Sequence, residues 1–161
     1  MRIASESPRS PDVARLLAGY IADNYATSPP QSVHALDVEA LDAPAVTFLT
    51  ARDEDGGRLL GVGALRVLGE GTGEVKSLVT VENARRRGVG AALLARIIEV
   101  ARAGGLRELN LETGVEDYFA AARRLYERHG FTARGPFAAY VDDPNSAYYG
   151  LALSPALLEE I

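Results

Sequence analysis

Apolar residues along this chain switch between helical and alternating periods. Val13, Leu16, Leu17, Tyr20, Ile21 and Asn24 fall at i, i+3, i+4, i+7, i+8 and i+11, which predicts an amphipathic helix to about Tyr25. Ser10-Pro11-Asp12 reads as its start, with Ser10 as N-cap, Pro11 in the first turn and an acid after it. A short strand over Arg2 to Ser5 precedes it. Pro29-Pro30 then forbids regular helix, so residues 28 to 34 read as an ordered loop leading to a weak helical turn at Asp37 to Leu41. Ala45 to Arg52 and Arg58 to Leu68 read as strands joined by the turn signal Asp53-Glu54-Asp55-Gly56-Gly57. A second Gly-rich turn, Gly69 to Gly73, leads into a strand from Glu74 to Val81, completing an antiparallel meander.

The second half begins with a helix from about Gly88 to Ala103, with Val89, Leu93, Ile97 and Val100 on one face and Gly104-Gly105 as its stop. Leu106 to Thr113 is a strand, and a strand, helix and strand with short links form a right-handed crossover whose two strands run parallel. Tyr118, Ala121, Ala122, Leu125 and His129 recur at helical spacing up to Gly130. Phe131 to Ala133 and Ser146 to Leu153 read as terminal strands around a loop from Pro136 to Asn145. The fold class is α/β: a single domain over residues 1–161, with a central mixed, mostly antiparallel sheet and flanking helices.

The 161 residues carry a net charge of −5, which argues against a nucleic-acid protein, whose affinity rests on a broad basic surface. With no cysteine there is no disulfide, thiolate nucleophile or cysteine metal site, and no metal ligand set is expected. The N-terminus lacks the apolar core of a signal peptide and no apolar run reaches membrane-spanning length, so a cytoplasmic protein without membrane contact is expected.

Charge becomes informative locally. Arg85, Arg86 and Arg87 crowd the electropositive end of a helix whose first residues include Gly88 and Gly90, each costing roughly 1 kcal/mol against Ala inside a helix. Free helical N–H groups, guanidinium forks and small residues together describe a phosphate or pyrophosphate cradle. A P-loop is excluded, because Lys76-Ser77 lies inside a strand; a dinucleotide fingerprint is excluded, because Leu93 stands where its third glycine belongs.

Arg85-Arg86-Arg87-Gly88-Val89-Gly90, between strand and helix, resembles the Arg/Gln-x-x-Gly-x-Gly/Ala signature of the GNAT superfamily of acyl-CoA N-acyltransferases. Leu125-Tyr126-Glu127-Arg128-His129-Gly130-Phe131 is similar to the LYxxxGF stretch of that superfamily, and the element order agrees along nearly the whole chain. Residues 28 to 37, Leu111-Glu112-Thr113-Gly114, and Gly135-Pro136-Phe137 through Asp143-Pro144-Asn145-Ser146 resemble a subgroup of small bacterial members.

The resemblance implies acetyl-CoA as cofactor. Its pyrophosphate would rest on the loop and helix start, Arg85, Arg86, Arg87, Gly88, Val89, Gly90 and Ala91. Its pantetheine would pair like an added strand with Leu78, Val79 and Val81, in a cleft where the two parallel strands splay apart. Acetyl would pass directly to a primary amine of a small-molecule or amino-acid-like acceptor, with no acyl-enzyme and with a backbone N–H near Val79 serving the oxyanion. Tyr126 would be the general acid; Glu74, placed first, Glu112 and His34 are the candidates for base or proton relay. Against these stand blander roles: Tyr126 as core, Glu74 as an exposed turn neighbour, Glu112 as an arginine partner and His34 as a surface residue. Phe119 replaces an Asn that contacts cofactor in many members, Gln31 replaces an acid of the subgroup, and Tyr148 and Tyr149 are larger than usual. These departures leave a second reading, a noncatalytic acyl-CoA-binding sensor or assembly subunit. Relatives dimerise, and the apolar tail from Ser154 to Ile161 is a candidate contributor to a homodimer.

Overall fold

Alternation and turn chemistry build one sheet of seven strands in the computed structural model, which describes residues 1–54 and 57–154. The strands are β1 (Arg2–Ser5), β2 (Val46–Arg52), β3 (Leu59–Gly69), β4 (Thr72–Thr80), β5 (Glu108–Gly114), β6 (Thr132–Arg134) and β7 (Ser146–Ala152). Their order is β1-β2-β3-β4-β5-β7-β6, and β4 with β5 is the parallel pair among antiparallel neighbours. The β3–β4 turn centres on Glu70 (φ 57°) and Gly71 (φ 79°). Two positive φ values give a turn whose twist matches the flanking strands, which holds the hairpin tight. The turn centre at 55–56 and the tail beyond Ser154 lie outside the described residues.

Helices α1 (Pro11–Thr27), α2 (Val38–Leu41), α3 (Val89–Ala103) and α4 (Ala120–Arg128) cover the sheet. The stripe of α3 buries Leu93, Leu94, Ile97 and Ala101 against Val75, Leu109, Leu111 and Tyr149 on one face. On the other, α1 sets Val13 and Leu17 against Leu41, Phe48, Val62 and Ala64. Ser10 does not cap α1 with its side chain as predicted: its Oγ donates to Glu6 Oε1 (3.2 Å) and Ser7 O, while Asp12 Oδ1 accepts from Val13 N (2.8 Å). Arg52 explains the exchange, because it binds Glu6 and Asp12 together and draws both carboxylates to the helix start. The turn at α2 is capped by Asp37, whose Oδ1 accepts from Ala40 N (2.9 Å).

Two irregularities in β4 create the functional space. Val62 pairs with Val79 but Ala64 pairs with Lys76, so β4 carries one extra residue at Ser77-Leu78, and Ser77 takes φ 53°. This β-bulge reverses the side-chain alternation. Before it Val75 packs on the α3 side and Glu74 and Lys76 face the other way; after it Leu78 joins the α3 core and Val79 the α1 core. In addition, β5 pairs with β4 only from Thr72–Glu108 to Glu74–Asn110, and beyond that point the two strands separate.

Candidate active site

A cleft of about 600 Å³ occupies the gap between β4 and β5. Its walls come from the C-terminal half of α1, the proline loop, the start of α3, and α4.

One end is built for an anion. Arg86 (φ 65°) and Gly88 (φ 78°) turn the loop into α3, and Gly88 is the N-cap but offers no side-chain cap. The helical ladder begins with Ala92 N donating to Gly88 O (3.0 Å), so Val89, Gly90 and Ala91 keep their N–H groups for a ligand. All three residues line the cleft. Gly90 sits where a Cβ would meet Leu125 Cδ2 at 3.3 Å, so a larger residue there would crowd α4. Arg85, Arg86 and Arg87 are exposed and pair with no carboxylate among the described residues. Arg85 and Arg86 line the cleft, and so does Arg128 of α4, which the motif reading missed; Arg87 does not.

A Cβ on Gly88 would meet no atom of the chain within 4 Å, although its φ favours glycine. Gly88→Val is therefore expected to cost the fold only about 1–2 kcal/mol of backbone strain. A loss of CoA affinity well beyond tenfold (about 1.4 kcal/mol) would then report a clash with ligand. Calorimetric titration with CoA beside thermal melting checks it.

The strand contacts are shifted from expectation. Leu78 and Val79 line the cleft, but Val81 does not: its N–H donates to Leu60 O (2.8 Å), its carbonyl accepts from Ala84 N, and its side chain packs against both cores. Backbone direction alternates along a strand, so Thr80, next to Val81, turns its N–H and C=O toward the open gap. Thr80 lines the cleft, in place of the Val81 that the resemblance implied. Ser77 Oγ also faces this region, buried and without a hydrogen-bond partner among the described residues. A buried orphan hydroxyl, an unpaired strand edge and an uncapped helix start together fit an elongated ligand with amide and phosphate groups.

The other end is polar and titratable. Glu112 and Lys76 project from β5 and β4 into the cleft, joined by His34 and Ser32 from the proline loop and Tyr126 from α4. Glu112 Oε2 accepts from Ser146 Oγ (2.8 Å), while Oε1 has no partner among the described residues. Burial raises its pKa, helped by the charges of Glu74 and Asp143 and opposed by Ser146 and Lys76. Burial also lowers the pKa of His34, with Lys76 adding to the effect, so the ring is neutral near pH 7. Tyr126 is 7% exposed and its hydroxyl has no partner among the described residues. Burial, then Tyr20 and Glu112, push its pKa far upward, so the phenol keeps its proton.

Glu74, placed first as a base, lies under this floor instead. Its side chain is 0% exposed and does not line the cleft. Oε1 accepts from Arg66 Nη2 (2.9 Å), and Oε2 accepts from Tyr140 Oη and lies 3.4 Å from Lys76 Nζ. Both oxygens are occupied, one by Arg66 and the other by Tyr140 and Lys76, so neither an exposed turn role nor direct work on an acceptor fits it. Lys76 Nζ donates further to His34 O and Tyr140 Oη, each at 3.0 Å. Sequence reasoning missed Arg66, Lys76 and Tyr140; the signal was Glu74 and Lys76 two apart on one strand face, a charged pair inside an apolar sheet.

The proline loop is clamped over the site. Ser28 Oγ donates to Glu116 Oε1 (3.2 Å), and Ser32 Oγ to Asp143 Oδ2 (2.6 Å). Of the departures noted above, Gln31 is exposed, and Phe119 is 5% exposed, packed edge-on to Tyr118 and lining the cleft. Tyr148 Oη donates to Val141 O (2.8 Å), and Tyr149 Oη to Glu127 Oε2 (3.1 Å).

A splayed parallel pair beside an uncapped helix start is the cleft of an acyl-CoA-dependent acyltransferase. The chain belongs to the acetyltransferase (GNAT) family, whose family model matches residues 13–131, and it is an acetyl-CoA-dependent enzyme of that class. It is 42% identical over 151 residues to the uncharacterized N-acetyltransferase YedL of Escherichia coli (strain K12), covering 94% of each chain. It is 43% identical over 150 residues to an IAA acetyltransferase of Azospirillum brasilense, covering 91% of this chain and 94% of that one. A solved structure from Klebsiella pneumoniae, provisionally named an acyl-CoA N-acyltransferase, superposes with TM-score 0.78 at 29% identity, covering 95% of this chain and 97% of that one. Among the described residues no helix is long and apolar enough to cross a membrane, and no metal-ligating cluster occurs.

Proposed function

We propose that this chain is a cytoplasmic N-acetyltransferase that moves acetyl from acetyl-CoA directly to a primary amine of a small, amino-acid-like molecule. The observation that carries the reading is the shared cleft: Glu112, with one free oxygen, and Tyr126, with its proton retained, open onto the same space as the free N–H groups of α3. Acetyl-CoA supplies an acyl group activated as a thioester. Val89, Gly90 and Ala91, with Arg85, Arg86 and Arg128, hold its phosphates, and Leu78, Val79 and Thr80 align the arm. Glu112 Oε1 would take one proton from the acceptor's ammonium; as the new C–N bond forms and the thioester C–S bond breaks, Tyr126 Oη would give its proton to the departing thiolate and regain one from the amide nitrogen. His34, neutral and next to Lys76, orients the acceptor rather than removing its proton.

The test mixes the protein with acetyl-CoA and a panel of primary amines and follows free thiol. Amine-dependent thiol release supports the reading; CoA binding without turnover on any amine would instead favour an acyl-CoA sensor. Tyr126→Phe is expected to lower kcat by about 10²-fold with CoA affinity unchanged, since a positioned proton donor contributes on that order. Unchanged turnover would remove Tyr126 from the proton-donating role.

A further inference from the structure

The charge lining the cleft is unbalanced in a way that identifies the acceptor. Among the described residues lining it, Lys76, Arg85, Arg86 and Arg128 are cations and Glu112 alone is an acid. Three of the cations belong to the phosphate end. Lys76 does not: it stands before the bulge, on the face of the sheet that carries Glu74, and its charge is felt by Glu112.

Lys76 is not neutralised where it stands. Glu74 is its counter-ion at 3.4 Å but is also bound by Arg66 at 2.9 Å, so Arg66, Glu74 and Lys76 together carry one excess positive charge. Arg66 reaches partly into solvent, with its side chain 34% exposed, whereas Glu74 and Lys76 are sealed at 0% and 7%, so the Lys76 charge is the poorly solvated one. An excess charge in a poorly solvated site is costly and favours a ligand that brings the opposite sign. Glu112 cannot fill that need and also take up the amine's proton. Asp143, an acid of the nearby loop, is held by Ser32 Oγ (2.6 Å) and Asn145 N (2.9 Å) and does not line the cleft. All three N–H groups of Lys76 face His34 O, Tyr140 Oη and Glu74 Oε2, so it acts on a ligand through its field. The direct donor is available beside it: the His34 ring lines the cleft with no hydrogen-bond partner among the described residues, and a neutral imidazole retains one N–H.

We propose that the acceptor is an amino carboxylate, its amine facing Glu112 and its carboxylate received by the His34 N–H above the Lys76 ammonium. The inference rests on the N-acetyltransferase reading and narrows its substrate class. Whole-protein charge points the other way, since −5 favours cationic acceptors, but exposed charges beyond roughly 8–10 Å are screened while this buried pair is not.

The experiment compares acetylation of glycine, β-alanine, L-leucine and L-glutamine with that of their carboxamides. An amide's amine is less basic, so its larger neutral fraction favours the amide, and preference for the acid reports recognition. At least one free acid is expected to exceed its amide by about tenfold or more in kcat/KM, expressed mainly in KM. His34→Ala and Lys76→Met are each expected to bring that ratio to within about threefold. His34→Ala leaves the Arg66–Glu74–Lys76 triad intact, so a folding defect in Lys76→Met does not decide the matter. Turnover on amides equal to or above that on acids in every pair would overturn the inference and leave the N-acetyltransferase reading standing. Absence of transfer to any amine, with CoA still bound, would overturn both.

Discussion

Glu112→Gln is expected to lower kcat by about two to four orders of magnitude while CoA affinity changes by less than about twofold. The substitution keeps the size of the side chain and its bond from Ser146 Oγ, and it removes the one carboxylate that opens onto the cleft among the described residues. Its effect on pH dependence is more specific. A base works when deprotonated, so activity rises with pH through its pKa in the folded enzyme. Burial raises that pKa, assisted by Glu74 and Asp143, which places the acidic limb of the kcat/KM profile above the ordinary carboxylate range. In Glu112→Gln that limb should vanish and the residual rate should follow only the acceptor's own ionisation. Stopped-time assays across pH with saturating acetyl-CoA check it. A variant with full turnover and the same limb would place the base elsewhere.

The second large effect concerns stability. Glu74→Ala is expected to destabilise the fold by about 3–5 kcal/mol, measured by chemical denaturation, because it leaves the Arg66 and Lys76 charges facing each other without a counter-ion. It also removes the oxygen that accepts from Tyr140 Oη, leaving Lys76 Nζ as the remaining hydrogen-bond partner of that hydroxyl among the described residues and loosening the loop between β6 and β7. The mutant protein should therefore lose acceptor selectivity before CoA affinity, since the side-chain partners of Glu74 among the described residues are Arg66, Lys76 and Tyr140, none of them in the loop or helix start at the phosphate end. Glu74→Gln, which keeps hydrogen bonding but not the charge, should fall between the two proteins. A cost near zero for Glu74→Ala would mean that the two cations find water, and the floor would not be the closed network described.

The elements were largely legible because each is marked locally. Helical spacing in α1 and α3, the Gly-rich turn before β4 and Gly104-Gly105 after α3 act within a few residues of where they lie. The phosphate end was legible for the same reason, since its glycines and arginines are contiguous. What was hidden acts at a distance or without a marker. Glu74 is paired with Tyr140, 66 residues away, and nothing beside Glu74 in the chain announces that partner. Ser77 adopts φ 53° with no glycine to signal it, so the bulge has no marker in the chain, and the resemblance named Val81 where Thr80 faces the gap. Ser10 has the chemistry of a cap, but Arg52, arriving from the sheet, rearranges the carboxylates around it.

The extra residue in β4 bears on how such a site can change over time. Almost any substitution between Lys76 and Val79 leaves the chain with the same number of steps from hairpin to helix. Deleting one of Ser77 and Leu78 would leave Lys76 opposite Ala64 and Val79 opposite Val62, so the later side chains would keep their faces and the bulge would become regular ladder. What would be lost is the local bend and added twist of β4 at the point where its edge lies open beside β5. For this segment length is the inherited quantity, and composition is secondary to it.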